Sequence, residues 1–76
     1  MEIKLNTYPW NQRLKMLRVL KGWSQQDAAE ACNVGQKVYW SWEIGKRYPQ
    51  KNSRISISKA FGVSEDEIFT VNKQII

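Results

Sequence analysis

The chain has 76 residues and a formal net charge of +5, from 12 Lys and Arg against 7 Asp and Glu, and it contains no histidine. This length allows one domain with a modest core, and the lack of histidine argues against an enzyme, a metal site or a cofactor-dependent centre. The single cysteine cannot form an internal disulfide, so we expect a reducing cytoplasm. No apolar run approaches the roughly 18 residues of a membrane span.

A first helix is predicted between Pro9 and Gly22. Proline suits a first helical turn because its φ is fixed near the helical value, and glycine suits the position after the last turn. Apolar residues recur inside the segment at three-residue spacing: Leu14, Leu17 and Leu20. We expect this stripe, with Trp10 at its start, to face the core.

A second helix is predicted over residues 25–32. Ser24 can cap it, and Asp27 three residues later completes a capping-box pattern. Small residues form its inner face and permit another helix to approach closely: Ala28, Ala29 and Cys32. Asn33 tolerates the left-handed conformation that ends a helix. The chain can therefore turn sharply at this point.

A third helix is predicted over residues 36–43. At about 100° per residue, one side is apolar and expected to face the core: Val38, Tyr39 and Trp42. The other side is expected to face outward: Gln36, Lys37, Trp40 and Ser41. Such side chains can contact DNA bases, because Gln bonds adenine, Lys reaches guanine and Ser suits several base edges. Lys46 and Arg47 follow the helix, where they would bind phosphates.

The remaining chain predicts two more helices and a short tail. The fourth helix is amphipathic, with apolar residues Ile57, Ala60 and Phe61, and Gly62 ends it. Ser64 and Glu67 form a capping-box pattern for a short fifth helix that carries Ile68 and Phe69. Residues 70–76 hold three apolar side chains: Val71, Ile75 and Ile76. This tail is interpreted as a dimer contact made with the fifth helix, and the alternatives are an edge strand or a frayed terminus.

The positive charge is concentrated in the middle of the chain. Residues 31–59 contain six cations and one acid, Glu43, so this segment accounts for the whole net charge. Residues 65–67 are all acidic. A basic middle and an acidic distal helix predict a molecule that turns its third helix toward a polyanion. The alternative is a solvated basic surface with no ligand.

Residues 24–49 resemble the Cro and lambda-repressor type of helix-turn-helix protein, also called the xenobiotic-response-element family. The matching residues are Ser24, Gln25, Ala29, Val34, Trp42, Glu43, Gly45 and Pro49. The similarity covers about residues 11–69 and continues through residues 57–64. It implies an all-α, compact five-helix DNA-binding domain in which helices two and three form the helix-turn-helix. One domain would then span residues 1–76, with a core over 9–69 and a C-terminal extension over 70–76.

The resemblance also implies a function. It predicts a sequence-specific regulator of transcription, of the kind found in phages and mobile elements, that binds a pseudo-palindromic operator in double-stranded DNA as a homodimer. An antitoxin-type regulator with a toxin partner, and a protein-interaction module with Trp40 in its docking patch, are the alternatives. Neither a membrane nor a small-molecule substrate is expected.

Candidate site residues follow from the residue types and from the resemblance. The predicted DNA contacts are Gln25, Gln36, Lys37, Trp40, Ser41, Lys46 and Arg47. Gln25 is expected to bond a phosphate and to support Gln36. Trp40 is expected to pack against a thymine methyl or a sugar, or else to cover the flank of the second helix. Arg18 and Glu43 are expected to form a structural salt bridge between helices one and three.

Overall fold

The computed structural model describes residues 7–69. These residues contain five helices: α1 (Trp10–Leu20), α2 (Gln25–Ala31), α3 (Gln36–Glu43), α4 (Lys51–Phe61) and α5 (Glu65–Phe69). No strand occurs within this range. The all-α, five-helix prediction is therefore confirmed. The predicted dimer contact or edge strand of the tail lies outside the described residues.

The starts of α2 and α5 follow local capping signals. In α2 the Asp27 amide donates to the Ser24 hydroxyl at 3.0 Å, and the Ser24 amide donates to the Asp27 carboxylate at 2.9 Å. Ser64 and Glu67 make the same reciprocal pair before α5, at 3.3 and 2.9 Å. Each pair satisfies orphan amides of a first turn. Asn33 adopts the expected left-handed backbone, with φ of 60°.

All five helices contribute to one core. Its buried apolar residues are Leu14, Ala28, Ala29, Cys32, Tyr39, Trp42, Ile57, Phe61 and Ile68. Leu20 was expected among them but is 63% exposed. A three-residue step falls about 60° short of a full helical turn, so two steps carry Leu20 out of line with Leu14. Trp23, beyond the end of α1, packs against Phe61 instead, with ring centroids 5.3 Å apart.

Arg13 fixes the short helix α5 against α1, a role that sequence reasoning did not assign to it. Its guanidinium lies inside the protein, with the residue only 4% exposed. Nε donates to the Tyr8 carbonyl at 2.6 Å, and Nη1 donates to the Ile68 carbonyl at 3.2 Å. This places a charged donor at the C-terminal end of α5, which the helix dipole favours. It also seals Ile68, whose side chain is fully buried, against the core.

The C-terminal end of α3 is held by α1. The Asn11 amide nitrogen donates to the Glu43 carbonyl at 3.2 Å and so satisfies an orphan acceptor of the last turn. Gly45 follows with φ of 78°, and a Cβ there would lie 3.2 Å from that same amide nitrogen. Glycine at this position therefore permits both the left-handed turn and the approach of Asn11.

Gly45→Ala is expected to lower the free energy of unfolding more than Gly22→Ala. Gly22 has a similar φ of 73°, but no atom lies within 4 Å of the point where a Cβ would stand, so it isolates the cost of the left-handed backbone, about 1–2 kcal/mol. At position 45 the Asn11 amide must also move away from the Glu43 carbonyl. Urea unfolding of the two variants measures the difference. Equal losses would show that the contact with Asn11 contributes nothing.

Candidate nucleic-acid interface

Helices α2 and α3 form a close pair joined by a short turn. Ala28, Ala29 and Cys32 are at most 2% exposed and leave room for the large side chains of α3. The Val34 amide donates back to the Ala29 carbonyl at 3.0 Å, which closes the turn. Two short helices joined by a tight turn are also the elements of the helix-turn-helix motif, whose second helix enters a groove in DNA-binding proteins.

The inner face of α3 consists of Tyr39, Trp42 and Glu43, which are 0%, 3% and 6% exposed. Gln36, Lys37 and Trp40 are exposed, as predicted. Val38, which was predicted to face the core, is 37% exposed. The inward turn of Glu43 accounts for this difference. At about 100° per residue Glu43 lies beside Tyr39 on the side opposite Val38, so burying Glu43 rotates Val38 to the rim.

Ser41 was predicted to face outward, but it is only 7% exposed. Its hydroxyl donates to the Val38 carbonyl of the same helix at 2.6 Å. Its carbonyl accepts the amides of Lys46 and Arg47 at 2.9 and 3.3 Å. The loop after α3 thus folds back beside Ser41 and covers it, which the helical period alone could not show. The hydroxyl is used inside the helix, not held out toward a ligand.

The same loop brings its two cations to the outer face of α3. An open depression of about 540 Å³ is lined by six residues: Lys37, Val38, Trp40, Ser41, Lys46 and Arg47. Lys37, Lys46 and Arg47 are exposed, and none of them pairs with a carboxylate among residues 7–69. Three uncompensated positive charges around one depression favour an anionic ligand. Five of the seven predicted contact residues therefore line this depression: Lys37, Trp40, Ser41, Lys46 and Arg47.

Glu43 joins the first three helices. Arg18 Nε donates to Glu43 Oε2 at 2.6 Å and Nη2 donates to Oε1 at 3.2 Å, with the two side chains 13% and 3% exposed. The hydrogen bond to Glu43 raises the pKa of Arg18 against the opposing effect of burial. Arg18 also donates to the Trp23 carbonyl at 2.8 Å. The predicted salt bridge between α1 and α3 is confirmed, in the bidentate geometry that fixes orientation best.

The prediction that Gln25 supports Gln36 is wrong, because the side chain of Gln25 is turned toward Glu43. Its Nε2 donates to Glu43 Oε1 at 3.3 Å, and no bond to Gln36 is found among the contacts of residues 7–69. A carboxylate is the stronger acceptor, so the amide turns toward Glu43. Gln25 remains half-buried at the start of α2. Its contact with a phosphate remains a prediction.

Two buried titratable side chains near Glu43, Cys32 and Tyr39, are expected to be unreactive near neutral pH. Burial raises the pKa of the Cys32 thiol to about 11, so the thiol stays protonated near neutral pH. Burial, and next the Glu43 carboxylate, raise the pKa of Tyr39. Residues 7–69 contain no cluster of three His, Cys, Asp or Glu side chains that could hold a metal ion. No helix in the same range is both long and apolar enough to cross a membrane.

Comparison with known proteins gives one family. The sequence model of the helix-turn-helix family matches residues 14–68. The chain is 38% identical over 61 residues to the HTH-type transcriptional activator BcrR of Enterococcus faecalis, a match that covers 80% of this chain and 30% of BcrR. It is 37% identical over 57 residues to the SPbeta prophage-derived HTH-type transcriptional regulator YonR of Bacillus subtilis (strain 168), covering 75% of this chain and 53% of YonR. The chain thus spans at most about half the length of these relatives.

The fold is shared with a solved repressor. The P22 c2 repressor protein, in a crystal structure with a synthetic operator, superposes with a TM-score of 0.80. The superposition covers 86% of this chain and 98% of that one, at 18% sequence identity. The likeness therefore concerns the arrangement of the helices.

Proposed function

The chain belongs to the helix-turn-helix family of the Cro/C1 type, and on that premise we propose that it regulates transcription by binding a specific double-stranded DNA site. In this proposal α3 lies in the major groove. Gln36 and Lys37 in its first turn contact base edges, and Lys46 and Arg47 contact phosphates. We propose that the protein acts in the cytoplasm, because it can reach a DNA site there without being exported.

One observation carries the proposal. The outer face of α3 is open and cationic, while its inner face is buried and held in one orientation by the pairing of Glu43 with Arg18. Lys37, Lys46 and Arg47 surround an open depression, and the buried Glu43 is bound to Arg18 behind it. A recognition helix needs this combination, because base contacts discriminate only when the helix is held in one orientation. A basic surface that only meets solvent would not require the buried Arg18–Glu43 pair to fix the orientation of α3.

We also propose that two copies bind one operator. A single eight-residue α3 contacts few base pairs, and two-fold related helices would read two half-sites about 34 Å apart. Within α5, Ile68 points inward and is fully buried. A contact between copies through this helix would therefore use its outer side, together with residues of the tail.

Selection of bound duplexes from a random pool, followed by a footprint, tests the function. We expect one enriched sequence with two symmetric half-sites. An interaction module would bind duplexes without sequence preference or not at all. An antitoxin would co-purify with a small toxin when both are expressed from their own locus. A pool that shows no enrichment would overturn the proposal.

Gln36→Ala is expected to weaken binding to the selected site by about 1–3 kcal/mol, the worth of a bidentate contact with adenine, and to relax the preference at one base pair. Gln36 is exposed at the start of α3, so the change should leave the fold intact. Gln26→Ala, an exposed glutamine on α2, is the matched control and should leave the preference unchanged. Equal losses by Gln36→Ala on selected and random duplexes would show that Gln36 does not read a base.

A further inference from the structure

The loop that joins α3 to α4 carries an aromatic side chain, Tyr48, directly after the cations Lys46 and Arg47. Its ring lies edge-on to Trp10 of α1, with the ring centroids 5.1 Å apart and the planes at 83°. Phe69 of α5 approaches the same ring at 5.7 Å and 78°. T-shaped pairs of this kind are favourable because the edge of one ring meets the face of the other. The loop is therefore attached to both α1 and α5.

Arg54 of α4 holds the same part of the loop from another side. Its guanidinium carbon lies 5.4 Å from the centroid of the Tyr48 ring. Its Nη1 donates to the Pro49 carbonyl at 2.9 Å, and its Nε lies 3.6 Å from Glu65 Oε1. A planar guanidinium can stack on a ring and bond an oxygen at the same time. This cation is thus used to hold the end of the loop.

These contacts fix the loop more than they bury apolar surface, since Tyr48 is 53% exposed. The two residues before Tyr48 are also held by their backbone. The Ser41 carbonyl accepts the Lys46 amide at 2.9 Å but the Arg47 amide only at 3.3 Å. Arg47 therefore has the weaker backbone bond of the two, and it is the direct neighbour of the ring that α1, α4 and α5 hold.

We infer that Tyr48 is a positioning residue, which holds Arg47 in place for a phosphate of the DNA backbone. This inference rests on the proposed function. A mobile arginine loses conformational freedom when it binds a phosphate, and a loop that is fixed beforehand reduces this cost. Because the ring is held by α1, α4 and α5, helices outside the helix-turn-helix pair contribute to the affinity for DNA.

Tyr48→Ala tests the inference, because it removes the ring and leaves the net charge unchanged. We expect the slope of log K against log salt to become shallower by about 0.9, the value of one phosphate contact in duplex DNA. The affinity for selected and random duplexes should fall equally, by about three- to tenfold at physiological salt. Fluorescence anisotropy over a series of salt concentrations measures both quantities. Tyr48→Phe keeps the ring and should retain the slope and the affinity of the parent protein.

Two control variants separate positioning from a loss of apolar surface or of stability. Ile44→Ala removes a 48% exposed side chain directly after α3 and should leave the salt slope unchanged. Gly22→Ala destabilises the turn after α1, where φ is 73°, and should leave the slope unchanged as well. Urea unfolding gives the stability of each variant. A Tyr48→Ala protein that is less stable but keeps the parent slope would show that the ring only supports the fold.

A double-mutant cycle shows whether Tyr48 acts through Arg47. If the ring positions Arg47, adding Tyr48→Ala to Arg47→Ala should lower the affinity by less than about twofold further. A ring that contacted DNA itself would cost the same affinity in both backgrounds. That result would overturn the inference.

The outcomes keep the inference distinct from the proposed function. If Arg47→Ala makes the salt slope shallower and Tyr48→Ala does not, the phosphate contact stands and the positioning role is wrong. If the parent protein binds no duplex, the proposed function and the positioning role are both overturned.

Discussion

Replacing Glu43 with alanine is expected to lower the free energy of unfolding by about 3–5 kcal/mol, because it leaves a charge uncompensated inside the protein. Arg18, with a side chain 13% exposed, would lose both of its bonds to the carboxylate. Gln25 would lose its acceptor as well. For a domain of this size that loss is a large part of the total stability. Urea unfolding followed by circular dichroism measures it.

Two controls make the Glu43 result specific. Glu30→Ala removes an exposed acid from α2 and should change stability by less than about 0.5 kcal/mol. The double variant Arg18→Met, Glu43→Leu removes both charges and should recover most of the loss, since paired apolar replacements avoid the unpaired charge. If Glu43→Ala unfolds within about 1 kcal/mol of the parent protein, the bridge contributes only what an exposed ion pair does.

The double variant Lys46→Ala, Arg47→Ala is expected to weaken binding to every duplex by a factor on the order of 10–100 at physiological salt. Both residues are exposed and unpaired at the rim of the depression within residues 7–69. If each neutralises one phosphate, the slope of log K against log salt should become shallower by about 1.8. The selected and random duplexes should lose affinity in equal proportion, because phosphates carry no sequence information.

A charge-matched variant controls for the overall field of the protein. Lys15→Ala, Lys59→Ala removes two exposed cations from α1 and α4, outside the residues that line the depression. It changes the net charge equally but should alter the salt slope by less than about one unit. Equal changes in slope for the two double variants would mean that the loop cations act only through net charge.

Glu43 and the loop cations Lys46 and Arg47 should affect different properties of the protein. Glu43 determines which side of α3 is buried, and the loop after α3 brings Lys46 and Arg47 beside Ser41. Replacing Glu43 should therefore reduce discrimination between operators as well as stability. The loop cations should affect affinity and leave the unfolding curve nearly unchanged.

Much of the candidate site could be predicted because its signals are local. Exposure of Gln36, Lys37 and Trp40 follows from helical spacing. The pairing of Arg18 with Glu43 could be expected from the family resemblance. Because Glu43 pairs with Arg18 of α1, Glu43 must face inward. Helical spacing then places Val38 away from the core. Assigning the inner and outer faces of α3 from hydrophobicity alone does not place Glu43 inside, because a hydrophobicity scale assigns an acidic residue to the surface.

Local residues alone account for the starts of α2 and α5, since the caps of these helices join residues three positions apart, as Ser24 and Asp27 do at 2.9 and 3.0 Å. For side chains near the boundary between core and surface, exposure to solvent depends on the packing of distant segments. Ser41 is covered by the returning loop, Gln25 is drawn to Glu43, and Arg13 reaches the Ile68 carbonyl 55 residues away. The physical reason is range: a cap or a helical period needs only neighbouring residues, whereas burial and the choice of hydrogen-bond partner depend on which distant segments the folded chain brings together.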